Sequence, residues 1–357
     1  MMRRRAALTG ALVLLVVAGL VWRLAVQYSD KADNPRVMRR EFLAMGTRIS
    51  VTIYRRDNRT PQQADAALTG IERYMRDFGR QWWAWGDGEL GSINRQLAAG
   101  GTVDIPPPMQ PLFARAAAIS RSSGGLFEPR IGSLVRLWGF DDVARLRERP
   151  PAPGDIDAAV AALHAAPVYN GSGSYGPAPG ITWDFGAVAK GYAVDQALAQ
   201  LHSAGFDDAI VDAGGNLAVR GEKGDQPWHI AIRQPRPVAG SPFLATIAAH
   251  DEAVNTHGDY ERHFEYQGRS YGHILDPASG YPAESLISVT VVAADGTLAD
   301  GGGAALFVAG AERWRDLART LGLDEVVVVD AQGHVSVTSR LAPRLELATG
   351  ISASVVN

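Results

Sequence analysis

Hydrophobic residues recur with two different periods along this chain, and the order of the two periods constrains the fold more than any other feature. Ile49, Val51 and Ile53 alternate with polar residues, which predicts a half-buried strand. Thr60 and Pro61 then supply an N-cap and a first-turn proline for a helix. Later strands and helices do not alternate as regular strand–helix–strand units. The pattern therefore predicts an α+β fold with a mostly antiparallel sheet and packed helices.

Shorter patterns place the remaining elements. Helices are predicted for residues 155–166, 187–203 and 298–318, and for a stretch that starts at 106–111 and ends near 122–125. Strands are predicted at 183–185, 209–211, 217–219, 228–232, 243–249 and 288–293, with a hairpin turning at 267–268 and a closing hairpin of 325–329 and 335–338. Residues 150–180, rich in Pro, Ala, Gly and Ser, are predicted as an insertion or surface segment.

The first 27 residues have the layout of an export signal or a signal anchor. Arg3, Arg4 and Arg5 precede an uncharged, mostly apolar run at 11–22, which Arg23 closes. The run is short enough for a cleaved signal, but no convincing small-x-small site follows, so we expect an uncleaved anchor with its basic end in the cytoplasm. A buried N-terminal helix is disfavoured because three arginines do not suit a core. The protein body is then expected on the periplasmic side of a bacterial inner membrane.

Composition excludes several classes of function. The 357 residues carry a formal net charge of −3, so a nucleic-acid partner is not expected. The absence of cysteine excludes thiol catalysis, cysteine metal sites and a lipoprotein anchor, and it is compatible with the periplasm. We expect the anchor at 1–27, a linker at 28–40, one domain at 41–345 and a C-terminal tail at 346–357.

The segment DFGAVAKGYAVD, residues 184–195, joins a predicted strand to a predicted helix. Gly186 permits close approach of the backbone, the helix start offers free amide groups to an anion, and Lys190 adds positive charge. A phosphate group could bind there. The alternative is an ordinary turn with a solvated lysine, because the segment matches neither the Walker loop nor the dinucleotide fingerprint.

Asp300 opens the run GGGAALFVAG. A carboxylate at the mouth of a glycine-rich turn or helix start can bind a divalent cation through oxygen, and the cation can bridge phosphates. The alternative is a structural N-cap, a common role for aspartate. Three consecutive glycines weaken the purely structural interpretation, since each costs backbone entropy in a helix.

The stretch RSYGHILDPASGYPA, residues 269–283, places His273 and Asp276 on a turn after a predicted hairpin. One interpretation is a hairpin exit closed by ordinary turn residues. The other is an imidazole and a carboxylate held above a ligand, because histidine has the unperturbed pKa that suits proton removal near neutral pH.

Three tryptophans lie close together in the stretch QWWAWGDGELGSIN. Trp82, Trp83 and Trp85 could line an apolar pocket or stack on a planar ring. Packing in the core is the alternative.

Eight stretches, taken as an ordered set, resemble the FAD:protein FMN transferase family, the ApbE flavin transferases. They are MGTRISVTIY from Met45, WAWGDGELGSIN from Trp83, SGGLFEPRIGSLVRLWGF from Ser123, DFGAVAKGYAVD from Asp184, VDAGGNLAVRG from Val211, NTHGDYERHF from Asn255, HILDPASGYP from His273 and ADGGGAALFVAG from Ala299. No single stretch is specific, but their order and spacing are. The resemblance implies a T-fold-like single catalytic domain behind the anchor.

That resemblance also implies an activity and a set of site residues. The enzyme would bind FAD, use Mg²⁺ and transfer the FMN half onto a Thr or Ser hydroxyl of an exported or membrane-bound acceptor protein of an electron-transfer system, releasing AMP. The FAD site would be lined by Met45, Trp85, Leu126, Phe127, Glu128, Asp184, Lys190 and Ile274. His273 would be the catalytic base, on a turn held by Asp276, and the metal positions would be Asp300, the backbone oxygen of Ala187, and Ala304.

Two departures from the family pattern concern the metal. Ala304 stands where the family has a threonine whose hydroxyl would ligate metal, so metal binding could be weaker, use more water or be lost. His257 stands where the family has a serine, and it could replace a ligand or donate to a phosphate. Two alternative functions therefore stay open. One is an FAD-binding or FAD-hydrolysing relative with a weakened metal site, and the other is a non-catalytic anchored binding domain.

Overall fold

A computed structural model of the chain describes residues 34–56, 58–238 and 241–357. The predicted anchor, 1–27, and residues 28–33 of the predicted linker lie outside this part. Among the described helices, none combines the length and the apolar character that a membrane crossing needs.

The described part contains seven α-helices and sixteen strands. In chain order the strands are β1 (Val37–Ala44), β2 (Thr47–Tyr54), β3 (Val103–Asp104), β4 (Ser174–Tyr175), β5 (Ala209–Ala213), β6 (Asn216–Arg220), β7 (Trp228–Val238), β8 (Ser241–Ala249), β9 (Ala253–Gly258), β10 (His263–Tyr266), β11 (Arg269–Gly272), β12 (Leu286–Ala293), β13 (Glu325–Asp330), β14 (Val335–Thr338), β15 (Leu345–Leu347) and β16 (Ala353–Val356). The helices are α1 (Pro61–Gln81), α2 (Glu89–Ala98), α3 (Gln110–Ser122), α4 (Gly132–Leu137), α5 (Pro153–Ala165), α6 (Ala189–Ser203) and α7 (Gly296–Leu321), with 3-10 turns at Val143–Arg145 and Ala342–Arg344.

Nine strands form the central sheet, in the order β1-β2-β5-β6-β9-β12-β13-β14-β16. Within it β14 and β16 run parallel, and the other neighbouring strands run antiparallel. A second sheet has the order β15-β8-β7. The prediction of an α+β fold with a mostly antiparallel sheet is therefore confirmed.

The middle of the central sheet is buried on both faces. In β13, Val326 and Val328 belong to the core shared with the helices, whereas Val327 and Val329 belong to a core shared with β7 and β8. Successive side chains of a strand point to opposite faces, so an unbroken apolar strand needs a layer on each side. The molecule thus has three layers, with the helices on one face of the sheet and the smaller sheet on the other.

Local signals set the first helix as predicted. The Thr60 hydroxyl accepts a hydrogen bond from the Gln63 amide, and the Gln63 side chain accepts one from the Thr60 amide, which forms a capping box. Leu68, Ile71 and Met75 lie on the buried face of α1. Burial of each such side chain contributes roughly 1.5–3 kcal/mol relative to exposure.

The glycine-rich run lies inside a helix. The N-cap of α7 is Asp295, whose side chain accepts from the Leu298 amide, so Asp300 is not the cap. An added Cβ on Gly191 of α6 would lie 2.1 Å from the carbonyl oxygen of Gly296, which shows that the two helices touch through their backbones. This contact brings the start of α7 beneath the sheet and fixes the position of Asp300.

Two strands of the central sheet lie at least partly outside the predicted domain at 41–345, and one predicted strand is corrected. Strand β1 begins at Val37, inside the predicted linker, because it pairs with β2 along its full length. β16 lies inside the predicted tail and adds an edge strand beside β14. Residues 183–185 do not form a strand. The preceding residue, Thr182, forms an isolated β-bridge with Ile131, and the Asp184 amide donates to the Pro129 carbonyl. Residues 183–185 are therefore a loop that is hydrogen-bonded to the loop around Pro129.

Candidate active site

One cleft gathers most of the residues that the resemblance assigns to the site. Its walls come from the loop after α3, the start of α6, β9, the turn after β11 and the middle of α7. Nine assigned residues line it: Leu126, Phe127, Glu128, Asp184, Ala187, Lys190, His273, Ile274 and Ala304. They come from segments far apart in sequence, so the fold brings them together.

Four assigned residues are not among those that line the cleft in the described chain. Met45 sits in the β1–β2 turn with a φ of 50° and packs on Gly79 of α1, where an added Cβ would lie 2.9 Å from its Cγ. Trp85 lies under a guanidinium, with Arg136 Cζ 4.6 Å from the ring centroid. Asp276 and Asp300 stand behind residues that do line the cleft.

The three neighbouring tryptophans do not act as a unit. Trp82 packs in the aromatic core, with its ring centroid 5.0 Å from that of Phe185. Trp83 is 56% exposed. The core and pocket interpretations of this stretch therefore each fail for the group as a whole.

Two cationic side chains line one side of the cleft. Lys190, in the first turn of α6, donates from Nζ to the Gly186 carbonyl at 2.8 Å. Arg262, from the loop after β9, donates to the Phe140 carbonyl at 3.2 Å, and burial lowers the pKa of its guanidinium. Both side chains keep further donors, and a helix start adds its own positive end. This side of the cleft suits an anion such as a phosphate.

Asp184 lies beside these cations. Its Oδ1 accepts from the Gly186 amide at 2.9 Å. Burial raises the pKa of the Asp184 carboxyl, whereas that hydrogen bond and the charges of Arg262 and Lys190 oppose the rise. The loop after Asp184 is therefore held at Gly186 by two contacts, one from the Asp184 carboxyl to its amide and one from the Lys190 side chain to its carbonyl.

Glu128 is held by a neighbour. Its Oε1 accepts from Arg130 Nε at 2.8 Å and its Oε2 lies 2.7 Å from Arg130 Nη2, a two-point ion pair that is mostly buried. Arg130 also donates to the Pro167 carbonyl at 2.8 Å. The Glu128 carboxylate thus presents fixed acceptor oxygens at the cleft.

His273 has the tautomer and the protonation state of a neutral base. Its Nδ1 lies 3.2 Å from the Arg262 carbonyl oxygen, which can only accept, so Nδ1 carries the proton and Nε2 keeps a free lone pair. Burial lowers the pKa of His273 well below its ordinary 6.5, and the charges of Arg262 and Lys190 lower it further. The imidazole is therefore neutral at neutral pH, and its Nε2 can accept a proton.

Asp276 builds the turn that carries His273. Its Oδ1 accepts from the Ala278 amide at 2.9 Å and its Oδ2 accepts from the Ser279 hydroxyl at 3.0 Å. The Asp276 amide donates to the Tyr281 carbonyl, which closes the turn. Asp276 therefore fixes the turn that follows His273.

Asp300 lies at the base of the cleft and is fully buried. Its Oδ2 accepts from the Gly191 amide and its Oδ1 from the Asn216 side chain, both at 2.9 Å. Oδ1 also lies 3.5 Å from Nε2 of His257. Burial lowers the pKa of His257, so this imidazole is neutral at neutral pH.

These residues fit a divalent cation, although the set of donors is small. No group of three or more His, Asp or Glu side chains in the described chain has the arrangement of a metal centre. A buried carboxylate and a buried imidazole nitrogen without a hydrogen bond nevertheless face each other beside the cleft. Asp300, His257 and backbone oxygens such as that of Ala187 could hold the ion, with water completing its shell.

The remaining wall of the cleft is apolar. Ile131, Val135, Phe140 and Val308 line it. A cleft with apolar side chains on one side and cations, a neutral imidazole and a nearby buried carboxylate on the other suits an anionic ligand with a large apolar part, and it lies in a protein of the α+β class.

Comparison with known proteins gives the family. The chain belongs to the ApbE family, whose model matches residues 45–327. An FAD:protein FMN transferase of Rhodobacter capsulatus is 34% identical over 359 residues, which covers 97% of this chain and 65% of that protein. One from Treponema pallidum is 34% identical over 263 residues, covering 68% of this chain and 71% of that protein. This chain thus spans less than two thirds of the Rhodobacter relative.

Solved structures agree with the fold. The ApbE protein of Thermotoga maritima superposes with a TM-score of 0.77 at 27% identity, covering 86% of this chain and 99% of that one. The flavinyl transferase ApbE of Pseudomonas stutzeri, in its apo form, gives 0.74 at 27% identity, with 88% and 98% covered. The predicted family resemblance is therefore confirmed.

Sequence reasoning left several residues of the site without a role. Arg262 lies in the recognised stretch NTHGDYERHF, and Asn216 in VDAGGNLAVRG. Their roles depend on the pairing of distant strands, since Asn216 reaches Asp300 from β6. The available signal was a polar residue at the end of a strand next to a glycine-rich turn, which by itself indicates only a turn.

Proposed function

We propose that this chain transfers the FMN moiety of FAD onto a Thr or Ser hydroxyl of an acceptor protein and releases AMP. The observation that carries the proposal is the pairing of a neutral, oriented His273 with the cationic wall of Lys190 and Arg262 in one cleft. The names of the Rhodobacter and Treponema relatives support the same reaction.

The atoms of this step balance as a single displacement. The acceptor hydroxyl oxygen forms a bond to the phosphorus of the FMN phosphate, and the bond from that phosphorus to the oxygen shared with AMP breaks. AMP leaves with the shared oxygen. The hydroxyl proton passes to Nε2 of His273, whose lone pair is free because Nδ1–H donates to the Arg262 carbonyl.

Other residues bind and orient the donor. Lys190 and Arg262 offset the negative charge of the diphosphate, which otherwise repels the incoming oxygen. Phe127, Ile274 and Val308 provide apolar surface for the ring systems. The two-point ion pair with Arg130 holds the Glu128 acceptor oxygens still.

We further propose that the reaction uses a divalent cation, Mg²⁺ in the family pattern, held by Asp300. A bound cation would draw electron density from the diphosphate and stabilise the departing AMP. The buried Asp300 carboxylate has lone pairs left after its two hydrogen bonds, which supports this assignment.

The location of the reaction is also a proposal. The sequence of residues 1–27 supports an anchor that places the catalytic domain on the periplasmic side of the inner membrane, close to exported electron-transfer proteins. Protease added to intact spheroplasts should then digest the domain. Digestion only after lysis would contradict the assignment.

The transfer is tested by incubating the purified full-length chain with FAD, Mg²⁺ and a flavin-acceptor domain. We expect a flavin-fluorescent acceptor band and one AMP released per flavin attached. An acceptor whose Thr or Ser is replaced by Ala should stay unlabelled. No labelling of several acceptors by a chain that binds FAD would refute the proposal.

A second candidate is hydrolysis of FAD, with water in place of the acceptor hydroxyl. Ala304 favours it, because a methyl group lines the cleft where the family pattern has a hydroxyl that helps to order the metal. Release of AMP and free FMN without any acceptor would support hydrolysis. AMP release that depends on the acceptor would exclude it.

A further inference from the structure

One departure of this sequence from the family pattern, His257, lies against the glycine-rich run of α7 in the fold. His257 is on β9, and Gly303 is on the face of α7 that packs against it. An added Cβ on Gly303 would lie 2.7 Å from Cδ2 and 3.0 Å from Nε2 of His257. The imidazole therefore occupies space that a side chain at position 303 would fill.

The nitrogen of the His257 imidazole that faces the Asp300 carboxylate is Nε2. His257 is 9% exposed, and within the described chain its Nε2 has no hydrogen-bond partner. The 3.5 Å between Nε2 and Asp300 Oδ1 exceeds the ordinary range of a hydrogen bond. Asp300 already accepts from Gly191 and Asn216, so it does not need His257 for its own hydrogen bonding. A buried polar atom left this way needs another explanation.

The separation of the two atoms matches the spacing of two ligands on one ion. Ligands at about 2.1 Å from a metal lie roughly 3.0 Å apart at a right angle and roughly 3.4 Å apart at a tetrahedral angle. The observed 3.5 Å needs little adjustment to reach either value. Both atoms are held by regular elements, β9 and α7, and His257 also lines the cleft.

We propose that His257 Nε2 and Asp300 Oδ1 together bind a divalent first-row transition metal, and that the nitrogen donor shifts the site from Mg²⁺ towards such ions. Imidazole is a good ligand for transition metals, whereas Mg²⁺ prefers an all-oxygen shell. The inference rests on the proposed function only in taking this cleft as the place where a cation acts. It assigns to His257 the ligand role that Ala304 cannot fill.

The test uses the purified full-length chain with Mn²⁺ alone as the probe, because Mn²⁺ is paramagnetic. Pulsed EPR reports a hyperfine coupling from any nitrogen bound directly to Mn²⁺. We expect that coupling in the wild type and its loss in His257→Ser, with Mn²⁺ affinity lower by about tenfold. Mg²⁺ affinity, measured by competition, should change much less.

Two further variants sharpen the test. Gly303→Ala keeps both donor atoms but places a methyl group against the imidazole, so it should weaken or abolish the nitrogen coupling. His229→Ser removes an exposed histidine from β7 in the second sheet and should behave as wild type. Far-ultraviolet circular dichroism checks that each variant is folded.

The outcomes separate this inference from the proposed transfer. A wild-type chain without Mn²⁺ binding, or with Mn²⁺ bound but no nitrogen coupling, overturns the inference even if Mg²⁺ supports flavin transfer. Coupling that persists in folded His257→Ser also overturns it. Nitrogen coupling that depends on His257 supports the inference even where no acceptor is labelled, a result that would count against the transfer alone.

Discussion

The turn at residues 273–280 and the base of the cleft, where β9 meets α7, hold their histidines in different ways. His273 stands on a loop whose geometry comes from neighbours in sequence, as Asp276 accepts from Ala278 and Ser279. His257 stands in the middle of the central sheet, opposite an acid on a helix that follows much later in the chain. One site is built locally and the other by long-range packing.

That difference suggests that the two regions have different chemical roles. The turn gives His273 a fixed tautomer through the Arg262 carbonyl, which suits a group that moves a proton. The base of the cleft gives Asp300 a rigid, fully buried position, which suits a group that holds charge without moving. The two regions should therefore respond differently to substitution.

The largest expected effect is that of His273→Ala. Removal of a positioned base should lower kcat by about 10²- to 10⁴-fold, with FAD affinity nearly unchanged, since the base acts on the acceptor hydroxyl. Single-turnover labelling and FAD titration measure the two quantities. The matched control is His263→Ala on the neighbouring hairpin, where the side chain is exposed. A wild-type rate for His273→Ala would remove the turn from the mechanism.

Asp300→Asn should have the next largest effect. We expect turnover at limiting metal to fall by about 10- to 100-fold, with partial recovery at high metal concentration. The amide also turns an N–H group towards Gly191 N or Asn216 Nδ2, both of which are donors, so the free energy of unfolding should fall by about 1–3 kcal/mol. Thermal unfolding separates the two effects. Turnover unchanged at every metal concentration would show that Asp300 is only structural.

The same comparison explains how much could be predicted from sequence. The turn residues of 273–280, the N-cap at Thr60 and the helix that contains Lys190 depend on neighbours in the chain, and local pattern placed them well. The edge strand β16 and the contact of Gly303 with His257 depend on segments that meet only in the folded chain. Periodicity within one segment does not contain that information.

A similar limit applies to the loop that carries Asp184. The apolar residues Trp183 and Phe185 predict a strand, yet they are buried as loop residues, with their rings stacked at a centroid distance of 5.7 Å. The Asn94 side chain accepts from the Trp183 amide and donates to the Trp183 carbonyl, replacing the bonds of a strand neighbour. Side-chain hydrogen bonding from a distant helix decided the outcome, and such pairing has no local signal.

Asp276→Ala should have a moderate effect that reports on the turn. It removes the acceptors for Ala278 N and Ser279 Oγ, so we expect about 1 kcal/mol of stability to be lost and kcat to fall by about tenfold as His273 loses its position. Asp276→Asn keeps one oxygen acceptor and should recover most of the activity. A failure of Asn to rescue, with stability restored, would give the Asp276 charge a direct role.

The smallest expected effect is that of pH near neutrality. The reaction needs neutral His273, and burial with the charges of Arg262 and Lys190 holds its pKa well below 6.5. Protonation therefore begins only when the pH falls well below 6.5, and kcat/KM at saturating metal should stay nearly flat from pH 6.5 upwards and decline on the acid side.

Arg262→Gln tests the cause of this pH profile. It removes a positive charge that opposes protonation of His273, so the pKa should rise and the acid limb should move to higher pH. The Arg262 carbonyl that orients Nδ1 belongs to the backbone and is retained. A limb centred near 6.5 in the wild type, unmoved in Arg262→Gln, would show that the turn does not tune its histidine. That result would contradict the role of the turn as the region that moves a proton, whereas the role of Asp300 as a fixed charge would be unaffected.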